Sequence, residues 1–287
     1  MAKFSAPAAI IRQGARIVAQ AADVVVPPPG GVVVLAYHQV GAPRRGPVNI
    51  EPGAFDEQMA MLASRDPAGC VVDLDHALAK LARSDDDDAD RAKASAEDLV
   101  VLTFDDGTAD FVDQALPILE RYHLPVTLYL TTSFVEEGRS FWDDGTVLSW
   151  GALRDACATG LVTIGSHTHT HALFDRSPAD LVELEVDQSI ELIGERLGLA
   201  ARHFAYPKAL APSPSADRVV RNRFASAALA GGHANRPGAT DPWRLARTPI
   251  VAADRLSDVE RKASGGLRLE GWLRGQFDRR RYGKAAR

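Results

Sequence analysis

Short apolar segments rich in β-branched residues alternate with helical stretches along most of this 287-residue chain. Seven such strand-like segments are found, at residues 32–38, 99–106, 125–132, 162–167, 203–207, 226–233 and 245–251. Helical periodicity occurs between most of them, at residues 55–65, 109–122, 150–159, 178–197 and 216–222. Strands that alternate with helices in this way indicate a parallel sheet with crossover helices. The alternation therefore limits the chain to the α/β class.

The number of strands narrows the architecture. A complete (β/α)8 barrel usually has about 250 residues, and a similar length here carries seven strands. We predict an α/β fold in the form of a distorted, incomplete (β/α)7 TIM-like barrel, with an open, doubly wound sheet as the competing topology. Both architectures place functional groups at the carboxyl ends of the strands. The polar residues that follow the apolar segments are Tyr37, His38, Asp105, Asp106, Thr131, Thr132, His167, Tyr206 and His233.

Composition restricts the partners and the location. The net charge is -5 and no basic stripe with interleaved aromatic residues is present, which argues against a nucleic-acid partner. Cys70 and Cys157 fit neither a disulfide framework nor a zinc–thiolate site. Arg12 and Arg16 interrupt the most apolar part of the N-terminus, and no segment is long and apolar enough to span a bilayer. We therefore predict a cytoplasmic protein without a transmembrane segment, with docking on a membrane surface as the alternative.

Changes in composition also suggest the domain boundaries. Residues 1–30 are predicted to form a helix and a Pro-rich linker, and residues 31–255 the folded domain. Within that domain, residues 84–98 form an acidic block of the kind that stays solvated, which predicts a flexible insertion. Residues 256–287 are predicted to be a basic tail, which either holds an anionic glycan or membrane surface or forms a solvated terminal helix.

Three of the eight histidines of the chain lie on alternate positions in the segment LVTIGSHTHTHAL at residues 161–173. If the chain turns into a helix after the strand, His167 and His171 lie at i and i+4 on the same side, where two imidazoles can converge on one metal ion. His169 then points elsewhere and is structural or solvated. The alternative is a capped or solvated histidine cluster without a metal.

A possible third ligand lies in the segment LVVLTFDDG at residues 99–107, where an apolar strand ends in two adjacent carboxylates. Two like charges at the end of a buried strand repel each other unless a cation lies beside them. The alternative is that Asp105 or Asp106 caps the helix that follows. Since both segments reach the same rim of the sheet, the sequence predicts a metal site of one carboxylate and two imidazoles.

Three motifs in order resemble those of the polysaccharide deacetylases of carbohydrate esterase family four. The segment beginning TFDDG resembles the first motif, GSHTHTH the second and RHFAYP, at residues 202–207, the third. VVVLAYHQVG followed by FDEQMAML also resembles the opening strand and helix of many members. Together these segments cover most of residues 31–251, so the resemblance implies that residues 31–255 are the catalytic domain.

The resemblance implies a role for several residues. Asp106, His167 and His171 would bind a divalent metal, most often Zn²⁺, with Co²⁺, Ni²⁺ or Mn²⁺ as alternatives. Asp105 would be the general base, held by a cation such as Arg202, and the backbone N–H of Tyr206 would stabilise the oxyanion. Alternatively, Arg202 is an ordinary surface residue and Tyr206 a core aromatic. Trp142, Asp143, Asp144 and Trp150 are candidates for a sugar groove, although Trp150 fits better as a core residue at the start of a helix.

The sequence departs from the family pattern at two places. Lys208 and Ala209 stand where a glycine usually follows the third motif, and the late Leu-x-His that supplies the general acid is missing. His233 could replace that acid; otherwise water or another acid protonates the leaving group, or turnover is slow.

The resemblance implies removal of N-acetyl groups from N-acetylglucosamine-type sugars of a polysaccharide. The alternatives are a carbohydrate-binding pseudoenzyme on the same fold and a deacylase of another small amide or ester.

Overall fold

The computed structural model describes residues 30–65, 70–83, 98–141 and 146–268. The predictions for the N-terminal helix and linker, for nearly all of the acidic insertion, for Trp142, Asp143 and Asp144, and for the tail beyond residue 268 lie outside these residues.

Seven parallel strands form a closed barrel in which neighbouring strands follow each other in the sequence and the last strand pairs with the first. In chain order the strands are β1 (Val32–Tyr37), β2 (Gln39–Val40), β3 (Asn49–Ile50), β4 (Leu99–Phe104), β5 (Val126–Leu130), β6 (Val162–Ser166), β7 (His203–Ala205), β8 (Ser226–Ala230) and β9 (Leu245–Pro249). The barrel contains all of them except β2 and β3, which form a separate two-stranded sheet. The predicted seven-stranded α/β barrel is confirmed, and the open sheet is excluded.

Helices surround the barrel. They are α1 (Pro52–Ala63), α2 (Leu74–Leu81), α3 (Leu116–Tyr122), α4 (Thr132–Glu137), α5 (Trp150–Ala158), α6 (Ala179–Leu197), α7 (Pro214–Arg223) and α8 (Leu256–Ala263). A π-helical turn at Phe111–Ala115 leads directly into α3. The sequence indicates five of these helices but not α2, α4 or α8, which have eight residues or fewer and so show too few turns of periodicity.

The barrel encloses one of two hydrophobic cores. Because side chains alternate along a strand, every second residue points into the barrel; the buried residues of this inner cluster include Val32, Leu99, Tyr129, Ala205 and Leu245. Three apolar residues of α2, Leu74, Ala77 and Leu81, belong to the same cluster. Since Val32, Leu99 and Leu245 are the first residues of their strands, helix α2 closes the amino-terminal end of the barrel.

The second core lies between the outer face of the barrel and the helices. The rings of Tyr37, Phe104, Phe55 and Phe111 pack there, with centroids 5.1 to 5.8 Å apart. This layer holds the ends of β1 and β4 firmly beside each other, which matters because the candidate site begins at those ends.

Helix α8 belongs to the folded domain. Its Val259 and Ala263 are fully buried, and the ammonium group of Lys262 lies 2.6 Å from Asp254 and donates to the carbonyl of Pro249 at 3.0 Å. The sequence-based boundary at residue 255 is therefore wrong: the folded domain extends at least to the end of the described residues.

The structure also bears on the predictions for the two cysteines and for membrane-spanning segments. Cys70 and Cys157 are both free. Among the helices of the described residues, none is long and apolar enough to cross a bilayer.

Candidate metal centre and active site

The two adjacent carboxylates lie directly after β4, at the carboxyl end of the barrel. The backbone N–H of Asp105 donates to the carbonyl of Tyr37 at 3.1 Å, which extends the pairing of β1 and β4 by one step. Asp106 and Gly107 then adopt positive φ angles of 77° and 89°. This sharp turn sends the two carboxylates in different directions, so that they enter different interactions. Neither caps the following helical turn, which begins at Phe111.

Asp106 meets two imidazoles at this rim. Its Oδ1 lies 3.7 Å from Nε2 of His167 and 3.6 Å from Nε2 of His171. One ligand atom from each of the three residues lies within 4.8 Å of the others. One carboxylate oxygen and two imidazole nitrogens are a donor set that suits zinc and similar divalent metals, and three protein ligands leave a position for water or substrate. The residues present therefore fit a divalent metal.

The histidines reach this position through a loop, so the helix that their i and i+4 spacing would require after β6 does not form. Residues 167–173 contain no helical turn, and Thr168 and His171 have φ angles of 70° and 65°. Non-glycine residues rarely adopt such angles. The two left-handed residues bend the chain back on itself, and this bend brings His167 and His171 together in place of the i, i+4 spacing of a helix.

Both histidines are held in the neutral form that binds a metal. Nδ1 of His167 lies 2.7 Å from the carbonyl oxygen of Ala205, so this nitrogen carries the proton and Nε2 presents its lone pair towards Asp106. Burial lowers the pKa of His167, and burial together with the neighbouring His167 lowers the pKa of His171 to about 3. Neutral imidazoles are the form that coordinates metals.

The other carboxylate, Asp105, forms a buried ion pair with Arg247 of β9. Nη1 and Nη2 of Arg247 donate to Oδ1 and Oδ2 of Asp105 at 2.6 and 2.8 Å. Burial alone would raise the pKa of Asp105, but the guanidinium outweighs this effect and holds the pKa well below its usual range. Asp105 is therefore ionised and held in one orientation.

Arg202 does not pair with Asp105, so the prediction that it holds this carboxylate is wrong. Arg202 precedes β7 and therefore lies at the amino-terminal end of the barrel, where its exposed guanidinium donates to Asp75 at 3.1 Å. The alternative interpretation of Arg202 as an ordinary surface residue agrees with this position.

His38 is a site residue to which the sequence analysis assigned no role. It follows β1, and its Nε2 lies 3.8 Å from Oδ2 of Asp105. Its side chain is 28% exposed, whereas that of Asp105 is 4% exposed, so the imidazole borders both the ion pair and solvent. The signal that could have identified it is its position directly after the first strand, at the same rim as the other polar residues.

Tyr206 lies in the core. Its backbone N–H donates to the carbonyl of Ala228 at 3.1 Å, so it is used in the pairing of β7 with β8 and does not point into the site. Its ring packs edge-on against Phe174 and Phe204, and burial raises the pKa of its hydroxyl group. The prediction of an oxyanion donor at Tyr206 is therefore wrong. Lys208 and Ala209, which replace the expected glycine, both have positive φ angles, of 55° and 52°.

His233 is exposed and lies on a segment that runs back towards the amino-terminal end of the barrel, which contradicts its predicted position at the rim. The chain turns back after β8, where the N–H groups of Gly231 and Gly232 both donate to the carbonyl of Arg247. It then runs to Asn235, which pairs with Val32 at the amino-terminal start of β1. His233 lies on this returning segment, with Nδ1 3.2 Å from the carbonyl of Ala234.

The two remaining candidates have structural contacts. Nδ1 of His169 lies 3.0 Å from the hydroxyl group of Thr132, which agrees with a structural role. Trp150 opens α5, packs partly buried against the outer core and donates to Glu136 at 2.7 Å, as expected for a packing residue.

Comparisons with known proteins agree with this geometry. The sequence profile of the family described as polysaccharide deacetylase matches residues 92–224, a range that includes Asp105 and the three residues of the donor set. A solved structure of IcaB from Ammonifex degensii superimposes with a TM-score of 0.66 at 25% identity, over 83% of this chain and 98% of that one. Residues 92–224 of the chain therefore match the polysaccharide deacetylase family.

Two further proteins extend the comparison. The same fold recurs in the Streptococcus pyogenes deacetylase PplD, solved with acetate, at a TM-score of 0.66 and 19% identity over 82% of this chain and 99% of that one. A poly-beta-1,6-N-acetyl-D-glucosamine N-deacetylase of Staphylococcus epidermidis is 28% identical over 174 residues. That match covers 58% of this chain and 59% of the relative, so the chain spans less than two thirds of that protein.

Proposed function

We propose that this protein is a metal-dependent hydrolase that removes N-acetyl groups from N-acetylglucosamine-type sugars of a polysaccharide. The observation that carries the proposal is the joint arrangement of Asp106, His167 and His171 around one point, with the ionised Asp105 beside them. The similarity to a named poly-N-acetylglucosamine deacetylase supports the choice of substrate class.

The metal would be held by Oδ1 of Asp106 and by Nε2 of His167 and of His171. When bound, a divalent metal, with zinc as the first choice for this donor set, supplies Lewis-acid polarisation of the acetyl carbonyl and makes water nucleophilic near neutral pH. The carbonyl of Ala205 keeps the His167 ring in the tautomer that this role requires.

Asp105 is the general base in this proposal. Its Oδ2 lies 3.9 Å from Nε2 of His167, so the carboxylate borders the ligand atoms and can take a proton from a water molecule that attacks there. Arg247 keeps it ionised and fixes the direction of its oxygens. An unpaired buried carboxylate would be protonated more easily and could rotate.

His38 is the general acid in this proposal. When the carbon–nitrogen bond of the amide breaks, the amine nitrogen of the sugar must gain a proton, and a protonated imidazole can donate it. His38 lies at the partly exposed edge of the site, 3.8 Å from Asp105. The carboxylate and the imidazole therefore lie close enough to work on the same bond, with acetate and the free amine as products.

The position of His38 also bears on the pseudoenzyme alternative. That alternative rested on the missing late histidine, and an imidazole supplied from the end of β1 removes the reason for it. No contact in the described residues favours a different amide or an ester.

Acetate release from N-acetylglucosamine oligomers tests the proposal. The zinc-loaded protein is expected to release acetate, a chelator to stop the release, and added zinc to restore it. Asp105→Asn is expected to abolish release while zinc still binds, and Glu183→Gln, on the exposed face of α6, serves as the matched control. Release that persists in the chelated protein, or in Asp105→Asn, would overturn the mechanism.

A further inference from the structure

A buried carboxylate of α6 holds the loop that carries the two histidines. Glu185 is 4% exposed, although it lies on a helix whose other acidic residues mostly face solvent. Its Oε2 accepts hydrogen bonds from the backbone N–H groups of His169 and Thr170 at 3.0 and 2.8 Å. Its Oε1 accepts a hydrogen bond from the hydroxyl group of Thr170 at 2.6 Å. One side chain thus satisfies three donors of the loop.

These donors lie at the point where the loop is most strained. Thr168 and His171, on either side, have φ angles of 70° and 65°. Such a conformation is unfavourable for a residue other than glycine and persists only where its surroundings hold it. Buried N–H groups also need an acceptor. Because Glu185 accepts from both N–H groups between the two strained residues, its carboxylate stabilises this bend against straighter loop conformations.

The rest of the loop is fixed to neighbouring elements. Ser189, one turn after Glu185 on α6, lies 2.7 Å from the hydroxyl group of Ser166, which accepts from the N–H of Thr168. On the opposite side, the N–H of Ser133 in α4 donates to the carbonyl of His169 at 2.9 Å. The loop is therefore held between α6 and α4, and of these contacts only those of the Glu185 carboxylate involve a charged group.

We infer that Glu185 is a positioning residue for the metal site. Its carboxylate sets the loop so that the imidazoles of His167 and His171 meet the carboxylate of Asp106, and metal affinity therefore depends on a residue that touches no ligand atom. The inference rests on the proposed metal site but is independent of the substrate.

The test is zinc affinity of the purified, metal-free protein, measured by competition with a chromogenic chelator. Glu185→Ala is expected to weaken zinc binding about 10- to 100-fold, the usual effect of losing a group that orients metal ligands. Glu185→Gln is expected to recover most of the affinity, because its amide oxygen can accept from both N–H groups while its NH₂ group donates to Thr170. Glu183→Ala and Glu191→Ala, at exposed positions of the same helix, are expected to bind zinc like the wild type.

The outcomes separate this inference from the proposed function. If the wild type binds no zinc, the metal-dependent mechanism fails. If the wild type binds zinc and a folded Glu185→Ala binds it equally well, only the positioning role fails. If Glu185→Ala does not fold, Glu185→Asp carries the test: it keeps the charge but withdraws the carboxylate from the loop, and unchanged zinc affinity in that variant overturns the inference.

Discussion

Replacing Arg247 by methionine would leave the carboxylate of Asp105 buried without its partner. The side chains of both residues are 4% exposed, and two hydrogen bonds of 2.6 and 2.8 Å join them. Methionine is flexible and fills most of the space of the arginine, so the change removes the charge with little loss of packing. The perturbation is therefore mainly electrostatic.

The expected loss of stability is large. Removal of one partner of a buried ion pair costs about 3–5 kcal/mol, because the remaining charge is desolvated and unpaired. That is a substantial part of the roughly 5–15 kcal/mol by which domains are stable. Removing Asp105 as well takes away the unpaired charge, so Asp105→Asn combined with Arg247→Met is expected to be about 1–3 kcal/mol more stable than Arg247→Met alone.

Denaturant unfolding at pH 7 in the presence of a chelator measures these differences without a metal contribution. Arg223→Met is the matched control, because Arg223 pairs with Asp187, whose side chain is 56% exposed. Such a pair contributes less than about 1 kcal/mol. The reasoning is refuted if Arg247→Met costs no more than Arg223→Met, or if the double variant is no more stable than the single one.

Three further predictions concern other histidines and Arg202. His38→Ala is expected to lower kcat about 10²- to 10⁴-fold without changing zinc affinity, whereas His233→Ala leaves both unchanged. Acetate-release kinetics and chelator competition check this pair of variants. Equal losses of kcat in the two variants would contradict the role of His38. Arg202→Ala is expected to cost less than about 1 kcal/mol of unfolding free energy, since its side chain is 59% exposed, and to leave kcat/KM unchanged. Burial lowers the pKa of His203, so below about pH 6.5 the unfolded chain binds a proton that the folded protein does not. The wild type should therefore lose stability relative to His203→Asn by up to about 1.4 kcal/mol per pH unit as the pH falls from 6.5, and a pH-independent difference in unfolding free energy would contradict this.

The strands and the cluster of Asp106, His167 and His171 could be predicted because their signals are local. Most residues of the barrel strands are apolar, and the carboxylates and imidazoles come within a few residues of two strand ends. The shape of the loop that carries His167 and His171 could not be predicted, because the hydrogen bonds that bend it come from Glu185, on a helix that begins several residues later. The spacing of the two histidines fits a helix, but the carboxylate of Glu185 stabilises a bend with left-handed residues instead.

The end of the strand at which a residue lies explains which of the candidate residues are in the site. In a parallel barrel, a residue that follows a strand lies at the carboxyl end, and one that precedes a strand lies at the other end. Arg202 precedes β7 and is far from the site, whereas His38 follows β1 and lies in it. His233 shows the limit of this rule, because the chain reverses at Gly231 and Gly232 immediately after β8.

The position of Arg247 in the sequence does not show that it belongs to the site. It lies within β9 and points into the barrel, and its partner is 142 residues away in the sequence. An arginine in an otherwise apolar strand requires a buried counter-charge, but the sequence does not say which one. Only the closed barrel, which aligns Arg247 with β1 and β8 below the rim, brings it beneath Asp105.

The supports of the two halves of the site come from different parts of the fold. Asp105 is held from inside the barrel by Arg247, whereas the loop of the two histidines is held from outside by Glu185. Since the two supports share no contact, each half can be disturbed alone. Arg247→Met should impair the base while zinc affinity is kept, and Glu185→Ala should weaken zinc binding while the Asp105–Arg247 pair is kept. Equal effects of both variants on zinc affinity would mean that the two halves form one cooperative unit.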